Sequence, residues 1–236
     1  MNTDRKIAIS VGVLYIIGTV AGVLSVLITQ PILNAPEYLL KVSTNQNQIM
    51  LGGLFVLTMG FALAMVPVIL FPILKKQNEA LALGYVVFRG ALETFTYIAS
   101  VITWLFLIIV SQEYAAAGAV GTSYLQSLGA VFLKGSDSIT TILIFVFGLG
   151  ALMLYYLFDR SGLIPRWITL WGFIAILLHM TTGFLILFGI TGSMSTITTV
   201  MNAPIFFQEM VMAVWLIAKG FNPSAIANLA AKAAMS

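Results

Sequence analysis

The sequence predicts an all-α, polytopic transmembrane helix bundle of about six spans with both termini in the cytoplasm. Three observations lead there. Of the 236 residues, 60% are hydrophobic and 8% are charged, against about 25% charged in a soluble domain, so lipid must solvate most of the surface. The apolar runs reach the ~20 residues that a helix needs to cross a hydrocarbon core of ~30 Å. None shows the two-residue alternation of a membrane β-barrel, and a helix satisfies its own backbone hydrogen bonds in lipid.

The spans follow in order at about 7–29, 49–74, 80–111, 138–158, 167–190 and 201–219, within one domain covering 1–236. Arg5 and Lys6 precede the first run, which is too long for a signal peptide's apolar region and lacks an A-x-A-like site. Gly18 and Gly22 within it have the small-xxx-small spacing of close helix packing, either internal or in a homo-oligomer. A polar stretch, Gln30 to Gln48, follows, with Pro36 to Leu40 expected along the membrane interface. Pro67 and Pro72 are expected to kink or end the second span. A Gly/Ala/Ser-rich connection, Gln112 to Ser136, joins spans three and four, where Ser136 and Asp137 resemble an N-cap. Trp167, Trp171, Trp215, Tyr155 and Tyr156 suit an aromatic belt. The connection Gly192–Thr199 is uncharged, and the cytoplasmic tail 220–236 reads as a short, weakly ordered helix at the membrane surface.

Charge then orients the chain. Arg5, Lys6, Lys75, Lys76, Arg160, Arg166, Lys219 and Lys232 fall on one side, and Lys41 and Lys134 on the other. The basic-rich side is cytoplasmic by the positive-inside rule. The net charge of +3 is therefore topological and does not point to nucleic acid. The expected location is a plasma membrane, with membrane lipids as the immediate partners. Two sets of three spans would permit an inverted repeat, but no matching motifs support one.

Several functions lose their chemistry. Cysteine is absent, and there is no H-E-x-x-H, G-x-S-x-G or P-loop. One histidine cannot supply bis-histidine haem ligation. No lysine lies at mid-span for a retinal Schiff base. No catalytic residue, metal site or cofactor is assigned.

What remains is a set of polar residues that lipid should reject. Arg89 and Glu93 lie four apart on one helix face, continued by Thr96, Ser100 and Thr103. His179 sits mid-span in the fifth helix with Thr182 on its face, and Glu209 in the sixth follows Gln208 one face-period after Asn202. Intramembrane charges cost ~2.5–3.5 kcal/mol on insertion scales and normally face a partner or a wet cavity. Arg89, Glu93, His179 and Glu209 are thus the candidate ligand-binding residues, with Thr96, Ser100, Thr182 and Asn202 as candidate polar lining. Three readings stay open. The cluster binds or transports a small polar or anionic ligand, with Arg89 holding the anion; or it holds helices together in a structural or accessory subunit; or a nucleophile or metal beside His179 serves a lipid-acting enzyme. A metal bound by His179 and the two glutamates would be opposed by Arg89.

The segment Phe88-Arg89-Gly90-Ala91-Leu92-Glu93, the stretch Leu163-Ile164-Pro165-Arg166-Trp167 with Trp171-Gly172, and the ending Pro204, Glu209, Trp215-Leu216, Lys219-Gly220-Phe221 share one resemblance. With Gly12, Tyr15 and Gly22, they resemble the prokaryotic multi-pass family called domain of unknown function 4386. The resemblance implies six membrane helices with Arg89, Glu93 and Glu209 as family positions, and it implies no activity. Members often carry an arginine near the start of span two, where this chain reads Ile49-Met50-Leu51-Gly52.

Overall fold

A computed structural model describes residues 2–117, 122–193 and 195–235. Among the described residues, six helices are long and apolar enough to cross a membrane. They are α1 (Thr3–Leu33), α3 (Gln46–Leu74), α4 and α5 (Glu79–Tyr85 and Glu93–Ala116), α6 (Thr122–Ser161), α7 (Arg166–Leu187) and α8 (Thr196–Ala218). A π-helical turn, Val86–Leu92, joins α4 to α5 into one continuous span. The short α2 (Tyr38–Thr44) and the terminal α9 (Pro223–Met235) complete the described elements. The protein is a multi-pass, all-helical membrane protein.

Each span packs on its neighbour in sequence, and α8 returns to α1, so the six form a ring. The ring is tight at the end that collects most of the basic side chains. There Val66, Leu70, Tyr85, Leu154 and Phe158 fill the interior. Arg5 donates to the backbone oxygens of Leu216, Ile217 and Ala218, satisfying last-turn carbonyls of α8 that have no partner within the helix. Small residues set the closest approaches. A Cβ on Gly12 would lie 2.5 Å from the Ala213 carbonyl oxygen, and one on Gly150 would lie 3.2 Å from the Arg89 backbone nitrogen.

Gly18 and Gly22 pack on Leu63 and Met59 of α3, which assigns that pair to internal packing. Pro67 and Pro72 lie inside α3, which continues to Leu74. The interfacial expectation for Pro36 to Leu40 overlaps α2.

Three expectations are corrected. The connection placed at Gln112 to Ser136 is largely helical: α5 runs to Ala116 and α6 starts at Thr122, while 118–121 lie outside the described residues. Alanine favours helix there. Gly129 serves contact and not a turn, since a Cβ on it would lie 2.8 Å from a Leu39 methyl. At 1.5 Å per residue the 40-residue α6 spans roughly 60 Å, about twice the hydrocarbon core. The α5–α6 hairpin therefore projects beyond the bilayer, braced by α2 through Leu39, Val42 and Leu107.

Asp137 consequently sits inside α6, not at its start, and its Oδ1 accepts a hydrogen bond from Ser193 at 3.3 Å. The connection carrying Ser193 includes Met194, outside the described residues. The tail is also more ordered than expected. Phe221, Ala225 and Leu229 bury into the core, Asn222 N–H donates to Leu163 O at 2.9 Å, and Lys232 Nζ donates to Gln77 O at 3.3 Å. Alanine-rich composition hid three well-spaced anchors.

Candidate functional site

Arg89 lies in the π-helical turn, and Tyr85, Glu93 and Tyr97 flank it at four-residue steps. Four residues overshoot an α-helical turn by about 40°, so this row would drift around a regular helix. The wider turn at Val86–Leu92 takes back part of that drift and keeps the row facing the interior. Such turns are frequent at functional sites.

Arg89 is 3% exposed and Glu93 1%, so each must be paired inside the protein. Arg89 Nη1 donates to both Glu93 carboxylate oxygens at 3.0 and 3.1 Å. Arg89 Nη2 donates to Glu209 Oε1 at 3.1 Å across to α8. Tyr97 Oη donates to Glu93 Oε1 at 3.0 Å. The guanidinium carbon lies 4.5 Å from the Phe147 ring centroid and 5.6 Å from that of Tyr15, within cation–π range. Tyr15 in turn bonds Tyr85 at 3.2 Å. Arg89 Nε is the one buried side-chain polar atom without a partner among the described residues.

His179 forms a second, adjoining group. Its Nδ1 lies 2.8 Å from Asn202 Oδ1, which also accepts from Thr182 Oγ1 at 3.1 Å. Oδ1 can only accept, so Nδ1 carries the proton between them, and in the neutral imidazole Nε2 is then an acceptor. The His179 ring meets the edge of Phe147 at 5.3 Å, so Phe147 touches both polar groups.

The two groups form the floor of a cleft of about 440 Å³ lined by Arg89, Tyr97, His179, Asn202 and Glu209, a size typical of small-molecule sites. Val26 and Leu27 of α1 and Phe206 of α8 line its walls and are themselves exposed. The cleft is therefore open rather than a sealed void. It extends to Ser193 and Thr198, away from the basic end of the bundle.

The structure thus brings Arg89, Glu93 and Glu209 into one ion-pair cluster and sets His179, Thr182 and Asn202 beside it. Thr96 and Ser100 do not join them: Thr96 Oγ1 donates to Glu93 O at 2.7 Å and Ser100 Oγ to Thr96 O at 3.1 Å. A hydroxyl spent on its own helix needs no cavity. Glu93, though central to the pairing, lies beneath the cleft lining.

Sequence reasoning missed Tyr97, Tyr85 and Phe147, named Gln208 without a role, and placed Tyr155 in the aromatic belt. The first two continue the four-residue period of Arg89 and Glu93, a signal present in the sequence. Gln208 is fully buried, accepting from Tyr155 at 2.7 Å and donating to Ile168 O at 3.1 Å. This removes Tyr155 from the aromatic belt, whereas Trp167, Trp171 and Trp215 do cluster, with ring centroids 6.4 Å apart.

The profile of the family described as a domain of unknown function (DUF4386) matches residues 10–220. The chain belongs to this family. The matched range holds the ion-pair cluster, the His179–Asn202 group and all six spans from within α1 onward. No curated protein and no solved structure is significantly similar to it.

Proposed function

We propose that this DUF4386 protein binds a small amphiphile in the open cleft, with a hydrogen-bond-donating or cationic head on the polar floor and an apolar body along α1 and α8. The observation that carries this reading is a cleft that reaches buried ion pairs instead of closing over them. Arg89 already spends both terminal nitrogens on carboxylates. An anion would have to displace Glu209, so of the small polar or anionic ligands expected from the sequence this reading keeps a polar, donor-bearing one.

Charge balance supports the same choice. One guanidinium faces two carboxylates, and a surplus buried charge is costly unless matched. A proton or a cationic head completes it. Among the described residues nothing donates to the second oxygen of Glu209, and His179 Nε2 offers another acceptor. Transport would follow if the cleft reached both membrane faces in turn. The cell location in this reading is a prokaryotic plasma membrane with the basic end cytoplasmic, supported by the charge bias.

The pairing of both terminal nitrogens of Arg89 favours a second reading, in which the cluster only fastens the third span to α8 in an accessory subunit. Thermal-shift and native mass measurements on purified protein, with a panel of amphiphilic amines, alcohols and carboxylates, separate the two. Binding of amines or alcohols that is lost in Glu209→Gln while the fold persists supports the first. No binding across the panel, or preferential binding of carboxylates, overturns it.

A further inference from the structure

A second cavity lies at the basic end of the bundle, where α7 and α9 begin and α8 ends. A cavity of about 530 Å³ there is lined by Arg166, Trp215, Lys219 and Asn222, with no acidic residue in its lining. Lys219 forms no ion pair among the described residues. Arg166 uses its Nε on Asp159 Oδ1 at 3.2 Å and remains 78% exposed, so its terminal nitrogens are available.

Trp215 and Lys219 also line an adjoining groove of about 400 Å³. Its other walls are Phe207, Met210, Val211, Val214 and Ala218, all on α8 and all apolar or small. The groove follows α8 away from the basic cavity for three helical turns. Trp215 stands at the junction and packs edge-on against Trp167 at 6.4 Å, with Trp171 stacked beyond. Tryptophan clusters of this kind mark the headgroup level of a bilayer, so cavity and groove meet where a lipid's polar and apolar parts meet.

We infer that this is a binding site for an anionic phospholipid, its phosphate held by Arg166 and Lys219 and one acyl chain lying in the α8 groove. Charge complementarity selects the headgroup: Lys219 and the terminal nitrogens of Arg166, whose Nε alone is spent on Asp159, face a cavity with no acidic residue in its lining. The apolar face of α8 that adjoins the cavity selects a lipid over a free phosphate, which would gain nothing from it. Basic cavities between membrane helices on the cytoplasmic side suit anionic headgroups in general. The site is separate from the cleft and does not depend on the function proposed for it.

The test uses delipidated, purified full-length protein and native mass spectrometry. Phosphatidylglycerol and phosphatidylcholine with identical acyl chains are added in turn, and inorganic phosphate alone in a third arm. Phosphatidylglycerol should be retained at one copy per chain in preference to phosphatidylcholine. Lys219→Gln and Arg166→Gln should each weaken it about fivefold, as expected for one juxtamembrane charge. Val214→Trp should weaken both lipids by filling the groove. Lys75→Gln, a basic residue of the same end outside the cavity, should leave retention unchanged. Equal retention of both lipids in the wild type, equal loss in Lys75→Gln, or retention of inorganic phosphate to the same extent would overturn the assignment. A variant that no longer elutes as the wild type does is replaced by Lys219→Arg, which must retain the lipid if charge is what holds it.

Discussion

Arg89 and Glu209, 120 residues apart in the chain, are joined by a 3.1 Å ion pair that ties the third span to the sixth. Because Arg89 also holds Glu93 at 3.0 Å, one guanidinium organises carboxylates from two sides of the ring. Removing one partner of a buried pair leaves the other charge uncompensated, which costs more than the pair itself contributes.

Arg89→Ala, which leaves two buried carboxylates facing each other, should therefore destabilise the protein by about 3 to 5 kcal/mol, and Glu209→Ala by less, because Arg89 keeps Glu93. Removing both groups together should cost less than the sum of the separate losses. Unfolding in mild detergent, followed by tryptophan fluorescence, measures the cycle. Additive losses would show that the two residues are not coupled.

Tyr97→Phe should cost about 1.5 to 3 kcal/mol, the range for a hydrogen bond to a charged group, because it deletes the donor to Glu93 Oε1 and little else. Unfolding of the variant under the same conditions gives the value. A loss below a few tenths of a kcal/mol would mean that Glu93 does not depend on this hydroxyl.

Gly12→Val should disrupt the closure of the ring. A Cβ at this position would meet the Ala213 carbonyl at 2.5 Å, and backbone cannot yield as a flexible side chain does. A cost of about 1 to 3 kcal/mol is expected, with weaker anchoring of Arg5 on the end of α8. Gly18→Ala presses on the Leu63 side chain instead and should cost less. Ranking the two by thermal shift checks the argument.

His179→Phe keeps the aromatic packing on Phe147 while removing the nitrogen that meets Asn202. A stability loss of about 1 to 2 kcal/mol is expected from one interhelical hydrogen bond. Under the proposed function it also weakens binding of amines and alcohols to the cleft. Unchanged binding would remove His179 from the site while leaving Glu209 in it.

Topology is open to direct labelling, since the chain contains no cysteine. With the basic end cytoplasmic, a membrane-impermeant maleimide added to whole cells should label Ser193→Cys. It should label Lys76→Cys only after the cells are opened. The reverse pattern would invert the orientation.

Much of this was readable before folding. The six spans follow from composition, and the residues that form the ion-pair cluster stood out because lipid does not tolerate unpaired charge. Tyr97 was equally readable through the period linking it to Glu93. The helical hairpin beyond the bilayer was not, because Gly129 looks like a turn residue until Leu39 is seen packed against it. Thr96 and Ser100 misled for a related reason: polarity marks a face, but a hydroxyl can satisfy itself on its own backbone.

The sequence by itself determined the solvent, the helical class and the list of charges that had to find partners, since each depends only on local composition and the cost of leaving water. Tertiary structure decided the pairing itself. Whether Arg89 would meet Glu209, whether Phe147 would touch both Arg89 and His179, and whether the ring would close over them or leave a cleft all depend on distances between residues far apart in the chain. Those distances are set by close helix approaches at glycines such as Gly12 and Gly150, which hydrophobic pattern alone does not encode.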